Sequence, residues 1–219
     1  MGNRGILMKE ELQESGLRVS RKSLEKLLDG NRRFLLGQRY HQNMDEELRK
    51  RTLNAQAPIA AILGCSDSRV APEIVFDQGI GDIFVVRTAG NVLDIVGIGS
   101  MEYAVEHLHV PLIVVLGHQR CGAVSAALQG IESLGHVNSV IEKIAPAIEK
   151  SRNLVGDIVT NVVDTNVLHV VDQLRSCKPI LSEMVKKGNV EVVGARYDLD
   201  TGRVVILEET HQQQGSNVH

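Results

Sequence analysis

The chain contains no tryptophan, and only three tyrosines and three phenylalanines among 219 residues. That poverty excludes a platform of aromatic rings on which nucleic-acid bases could stack. A charge of one sign is missing too. Lys and Arg total 24 against 27 Asp and Glu, a net charge of −3, so no bulk electrostatic pull toward nucleic acid or an anionic membrane is expected. Long apolar runs are absent: the longest, 59–63 and 112–116, fall far short of the roughly 20 residues that cross a bilayer. Cysteine is scarce, odd in number and widely spaced (Cys65, Cys121, Cys177), which excludes a disulfide scaffold and points to a reducing compartment. The opening MGNRGILMKEELQESG has no apolar signal core, and Ile6 breaks the myristoylation pattern that Gly2 would begin. The expected location is the cytoplasm, or an organelle stroma if a transit peptide has been removed.

What remains is an ordinary globular composition, 43% apolar and 23% charged, in a length that suits one domain with an arm. Residues 1–52 are polar and helix-like. Ser20 is a plausible N-cap, followed by Leu24, Leu27, Leu28, Phe34 and Leu35 at near-helical spacing, with a second helical stretch at 45–52. From Pro58 short apolar runs alternate with helical patterns. Strands are expected at 59–63, 82–87 and 111–117, with helices over 97–109, from Gly122, and over 138–151, 162–175 and 180–187. Two strands joined by Asp200-Thr201-Gly202 follow at 190–198 and 203–207. Buried strands alternating with helices predict an α/β fold: a mostly parallel central β-sheet flanked by helices, with an N-terminal helical arm (1–52), a main domain (53–210) and a polar tail (211–219).

In parallel sheets ligands sit beyond the carboxyl ends of the strands, which selects Cys65, Thr88–Asn91 and His118–Cys121. His118 and Cys121, three apart at a helix start, together with Cys65 from another strand end, supply two thiolates and one imidazole. That donor set suits Zn2+ with a fourth position left over; the bland alternative is two buried cysteines and a hydrogen-bonded histidine. Asp67 and Arg69 alternate with Cys65. Asp67 either closes the metal site as a fourth ligand or pairs with Arg69 and accepts a proton from a metal-bound hydroxide.

Cys65-Ser66-Asp67-Ser68-Arg69 followed by Gly117-His118-Gln119-Arg120-Cys121-Gly122 resembles the β-carbonic anhydrase family. The likeness runs from about Leu27 to Val205 and includes LLDGNRRF, FDQGIGDIFVVRTAGN and VVGARYDLDTG. It implies a zinc-dependent carbonate dehydratase, one Zn2+ per subunit on Cys65, His118 and Cys121, and a catalytic Asp67–Arg69 dyad orienting a zinc-bound hydroxide toward CO2. It further implies substrate contacts from Gln56, Phe84, Tyr103 and Gly122. Gln56, Phe84 and Tyr103 would come from a neighbouring subunit, making a homodimer or higher homo-oligomer the working unit, with CO2 and bicarbonate as ligands and neither nucleic acid nor membrane as partner. Ile80 and Thr88 depart from the commoner Pro and Asn. Ile62 replaces the Trp of the bicarbonate-regulated subgroup, so that subgroup's inhibitory site is expected to be missing. Two thiolates leave the metal unit near neutral, which makes its water less acidic than at a three-histidine site, so activity is expected to rise above neutral pH. His107, His109 and His136 are candidate proton carriers, and Cys177 reads as a structural thiol. Three rivals are a CS2 or COS hydrolase, a non-catalytic zinc protein on the same fold, and a dinucleotide binder. Gly97-Ile98-Gly99 prompts the last, but the third glycine of that fingerprint is replaced by Glu102.

Overall fold

A computed structural model describes residues 2–40, 46–130 and 135–207, with side chains of the first helix described from residue 16 on. The tail expected at 211–219 lies outside the described residues. The elements are α1 (Gly2–Leu35), α2 (Glu46–Arg51), β1 (Ala60–Cys65), α3 (Pro72–Val75), β2 (Ile83–Thr88), α4 (Ile95–Glu106), β3 (Leu112–His118), α5 (Gly122–Leu128), α6 (Val137–Ser151), α7 (Ile158–Ser176), α8 (Ile180–Lys186), β4 (Glu191–Tyr197) and β5 (Val204–Leu207). The expected strands and the main helices are all present. The helix expected over 97–109 ends at Glu106, and His109 beyond it takes a positive φ of 54°.

The sheet has the order β2-β1-β3-β4-β5. The first three pairings are parallel; only β4 and β5, joined by the tight turn, run antiparallel. β1 and β3 are central and buried at every residue, which is why they read as unbroken apolar runs rather than as an alternation. Successive side chains point to opposite faces. Ala61, Leu63, Ile113 and Val115 meet Met101 and Val105 of α4, Val167, Val170 and Val171 of α7, and Leu181 of α8. Ala60, Ile62, Val114 and Leu116 meet Leu27 of α1 and Val75 of α3. Two layers of helix therefore sandwich the sheet.

From residue 16 on, the first helix packs on its own chain. Leu27 is fully buried, and Leu24, Leu28 and Phe34 pack beside it at the spacing the sequence suggested. Ser20, however, is not an N-cap. The helix runs through it, and its buried hydroxyl bonds Leu17 O and the carboxylate of Glu191 (2.8 Å), a partner 171 residues away. Contact between α1 and the body is unusually close at Gly30, where a Cβ would stand 1.7 Å from Phe76 O. Beside it, buried Asn31 donates to Val75 O (3.0 Å) and Gly202 O (2.9 Å) and accepts from Val204 N–H (2.9 Å). Asn31→Ala would leave three inward-facing backbone groups without a partner. The expected loss is about 2–4 kcal/mol, read as a lower urea midpoint with an unchanged m-value.

Candidate metal centre

β1 and β3 end side by side, so Cys65, closing β1, and His118, closing β3, emerge at one edge of the sheet. Arg120 then takes a positive φ of 53°, and the chain turns back so that Cys121 sits immediately before α5. The result is a buried group in which the ligand atoms of Cys65, His118 and Cys121 all lie within 4.8 Å of one another.

The state of His118 follows from its neighbour. Its Nδ1 lies 2.9 Å from the carbonyl of Gln119; a carbonyl can only accept, so Nδ1 carries the hydrogen. In the neutral ring Nε2 is then a bare lone pair. It is buried, without a hydrogen-bond partner, on a side chain with no solvent exposure. An orphaned acceptor facing two thiols costs free energy unless something electrophilic occupies the space. The sulfurs agree with this. The Cys65 thiol is shifted downward, foremost by the hydrogen bond from Cys121, and the same contact shifts Cys121 upward. A divalent cation among them would satisfy both sulfurs and Nε2 together. The donor set fits zinc.

Asp67 faces the same space, with Oδ2 at 3.8 Å from His118 Nε2. Both its oxygens are gripped by Arg69: Nε to Oδ1 at 2.9 Å, Nη2 to Oδ2 at 2.8 Å, and the Arg69 backbone N–H to Oδ1 at 3.0 Å. These bonds hold the Asp67 carboxyl well below the usual carboxylate range, against the opposing effect of burial. Because the shift is downward, Asp67 remains ionised through the neutral range and protonates only as pH falls toward strongly acid values. The ion pair between Asp67 and Arg69 is formed.

Gly122, next to the ligand Cys121, opens α5, and a Cβ there would meet nothing within 4 Å. Gln56, Phe84 and Tyr103 are not brought to the cluster within one chain. Phe84 pairs with Ala61, whereas Cys65 pairs with Thr88; four residues of strand, about 13 Å, separate the two levels. Phe84 and Tyr103 instead lie together (ring centroids 6.2 Å apart). Tyr103 and Gln56 line a separate open groove of about 590 Å3 with Leu53, Ile80 and Gly81. Of the three histidines, His107 lies beside Tyr103 (5.2 Å), His109 lines a different cavity with Gly16 and Met184, and His136 is exposed before α6. Cys177 is half-buried, its thiol donating to the Lys178 carbonyl (3.9 Å).

Some supports of the cluster carry no obvious signal. Arg87 donates to Cys65 O (2.9 Å) and Asp67 O (2.6 Å), tying the loop after β1 to β2. The hint was a lone arginine at the end of an apolar strand. Gly90 N–H donates to Cys65 Sγ (3.2 Å), and Asn166 of α7 donates to Gly90 O (3.0 Å). For Asn166 the hint was a polar residue inside a stripe of valines.

Comparison with known proteins agrees with this geometry. The carbonic anhydrase family profile matches residues 60–204. Carbonic anhydrase 2 of Mycobacterium tuberculosis is 45% identical over 186 residues, covering 83% of this chain and 90% of that protein. The carbonic anhydrase of Mycolicibacterium smegmatis is 44% identical over 182 residues, covering 81% and 88%. Among solved structures, the Coccomyxa β-carbonic anhydrase in complex with acetazolamide superposes with a TM-score of 0.68 at 30% identity, covering 74% of this chain and 78% of that one. One of two tetrameric β-carbonic anhydrases from Sordaria macrospora gives 0.67 at 28% identity, covering 76% and 88%. The chain belongs to the β-class carbonic anhydrases, and is thus an enzyme of the carbonate dehydratase type, a lyase.

Proposed function

We propose that the chain catalyses the reversible hydration of CO2 to bicarbonate and a proton, with one zinc ion per copy held by Cys65, His118 and Cys121. The observation that carries this reading is the buried, partnerless His118 Nε2 turned toward two thiols. Bound there, zinc would lower the pKa of water and make it a nucleophile near neutral pH.

The chain's own residues supply the rest. Asp67, kept ionised by Arg69, accepts a hydrogen bond from the attacking water and so turns a lone pair toward the substrate carbon. Arg69 occupies both carboxylate oxygens and keeps Asp67 in that role rather than as a further ligand. The backbone of Gly122 borders the space for substrate. Purified protein is expected to contain about one zinc per chain and to hydrate CO2; metal-free, inactive preparations that zinc does not restore would overturn the reading. Carbon disulfide and carbonyl sulfide, assayed alongside, test the substrate.

We further propose that Gln56, Phe84 and Tyr103 serve the cluster of a neighbouring copy in a homo-oligomer. The support is the separation of the two groups within one chain, the exposed apolar residues Leu53 (71%), Ile80 (40%) and Tyr103 (47%) around the groove, and the tetrameric relatives. Chains carrying Cys65→Ser should be inactive alone, and chains carrying Gln56→Ala only weakly active. Assembled together they should regain activity, because some sites then combine an intact cluster with an intact Gln56. A mixture no more active than the sum of its parts would exclude sharing between copies. Among the described residues no helix is long and apolar enough to cross a membrane. A dithiolate centre is suited to a reducing compartment such as the cytoplasm.

A further inference from the structure

Asn166 sits in the middle of α7, 1% exposed, among Val162, Val163, Val167 and Val170. A valine or leucine would pack there without burying an amide. Asparagine carries that cost, and only half of its amide is repaid: Oδ1 is buried with no partner, while Nδ2 donates to Gly90 O at 3.0 Å. Gly90 is in the left-handed region (φ 68°, ψ 22°), and Asn91 after it also has a positive φ of 45°. Two successive left-handed residues are an uncommon backbone, and this one needs an outside hold. The same conformation aims the Gly90 N–H at Cys65 Sγ, 3.2 Å away. A side chain at Gly90 would press on Ile144 Cδ1 (3.0 Å) and Ala123 Cβ (3.1 Å), so the segment has little room to find another course.

We propose that Asn166 is a positioning residue for the metal centre: by gripping the Gly90 carbonyl from α7, it holds the Gly90 N–H on the Cys65 sulfur and so sets the charge which that thiolate presents to its metal. A hydrogen bond to a ligand sulfur draws electron density away from the metal bond, as outer contacts generally tune their centres. Asn166 bonds Gly90 rather than the metal ligands, and acts through it. The inference rests on the reading of Cys65 as a metal thiolate.

Cobalt(II) loaded in place of zinc gives a thiolate-to-metal charge-transfer absorption that reports the energy of the sulfur lone pair. In Asn166→Leu the Gly90 N–H is released, the lone pair rises in energy, and the band is expected to move to longer wavelength. Val170→Ala, a core loss on the same helix away from Gly90, is expected to leave the band in place. An unmoved band in Asn166→Leu, or an equal shift in Val170→Ala, would overturn the proposal. Should Asn166→Leu fail to fold, Asn166→Ala is smaller and likewise cannot donate to Gly90 O; it is read in the same way. A wild-type protein showing no such band overturns the thiolate reading itself, which keeps the two failures apart.

Discussion

Cys65→Ser is expected to remove metal and activity together. The serine oxygen is a neutral, hard donor where a thiolate stood, and only His118 and Cys121 remain as ligands, too few for a stable zinc site. Zinc content should fall from about one per chain to near zero, with CO2 hydration dropping to the uncatalysed rate. The substitution is nearly isosteric at the buried end of β1, so circular dichroism should be unchanged. Cys177→Ser is the control, since its sulfur lies outside the cluster, and it should retain both metal and activity. A Cys65→Ser protein that kept its zinc would exclude the ligand assignment.

Asp67→Asn separates metal from catalysis. The ligand atoms are untouched, so zinc should remain. The amide, however, presents a donor where Arg69 needs an acceptor, so one of the two parallel bonds is lost, and the charge that orients the attacking water disappears. A fall in kcat/KM of roughly 10²–10⁴-fold is expected, with metal stoichiometry unchanged. Full activity in Asp67→Asn would show that the carboxylate has no part in the reaction.

The contrast between these two variants also marks what the sequence made legible. Cys65 and His118 could be paired because they end two apolar runs, and parallel strands bring such ends together whatever lies between. Asp67 and Arg69 were legible because their pairing is local. Asn166 was not: its partner Gly90 lies 76 residues away, and a single polar residue in a helical valine stripe gives no hint of which loop it will meet. Ser20 misled for the same reason. Its hydroxyl has the chemistry of a cap, but distant Glu191 took it, and the polar stretch before it continued the helix instead of ending it. Gln56, Phe84 and Tyr103 show a further limit. Likeness to a family assigns them to the cluster of a neighbouring subunit, and the register of β1 and β2 does set Phe84 at another level of the sheet from Cys65; which copy they serve is not written in the pattern of one chain.

The seat of Asn31 bears on the order in which the molecule is made. The residue leaves the ribosome early, yet two of its three partners, Gly202 O and Val204 N, belong to the closing hairpin, 171 and 173 residues downstream. During synthesis the long first helix has no completed berth until the last pair of strands has emerged. Its apolar side, Leu24, Leu27 and Leu28, must remain uncovered or borrow shelter until then. Nascent chains halted before residue 202 should therefore be more readily cleaved by protease within this helix than the finished protein, and the shelter they borrow is the kind that chaperones provide.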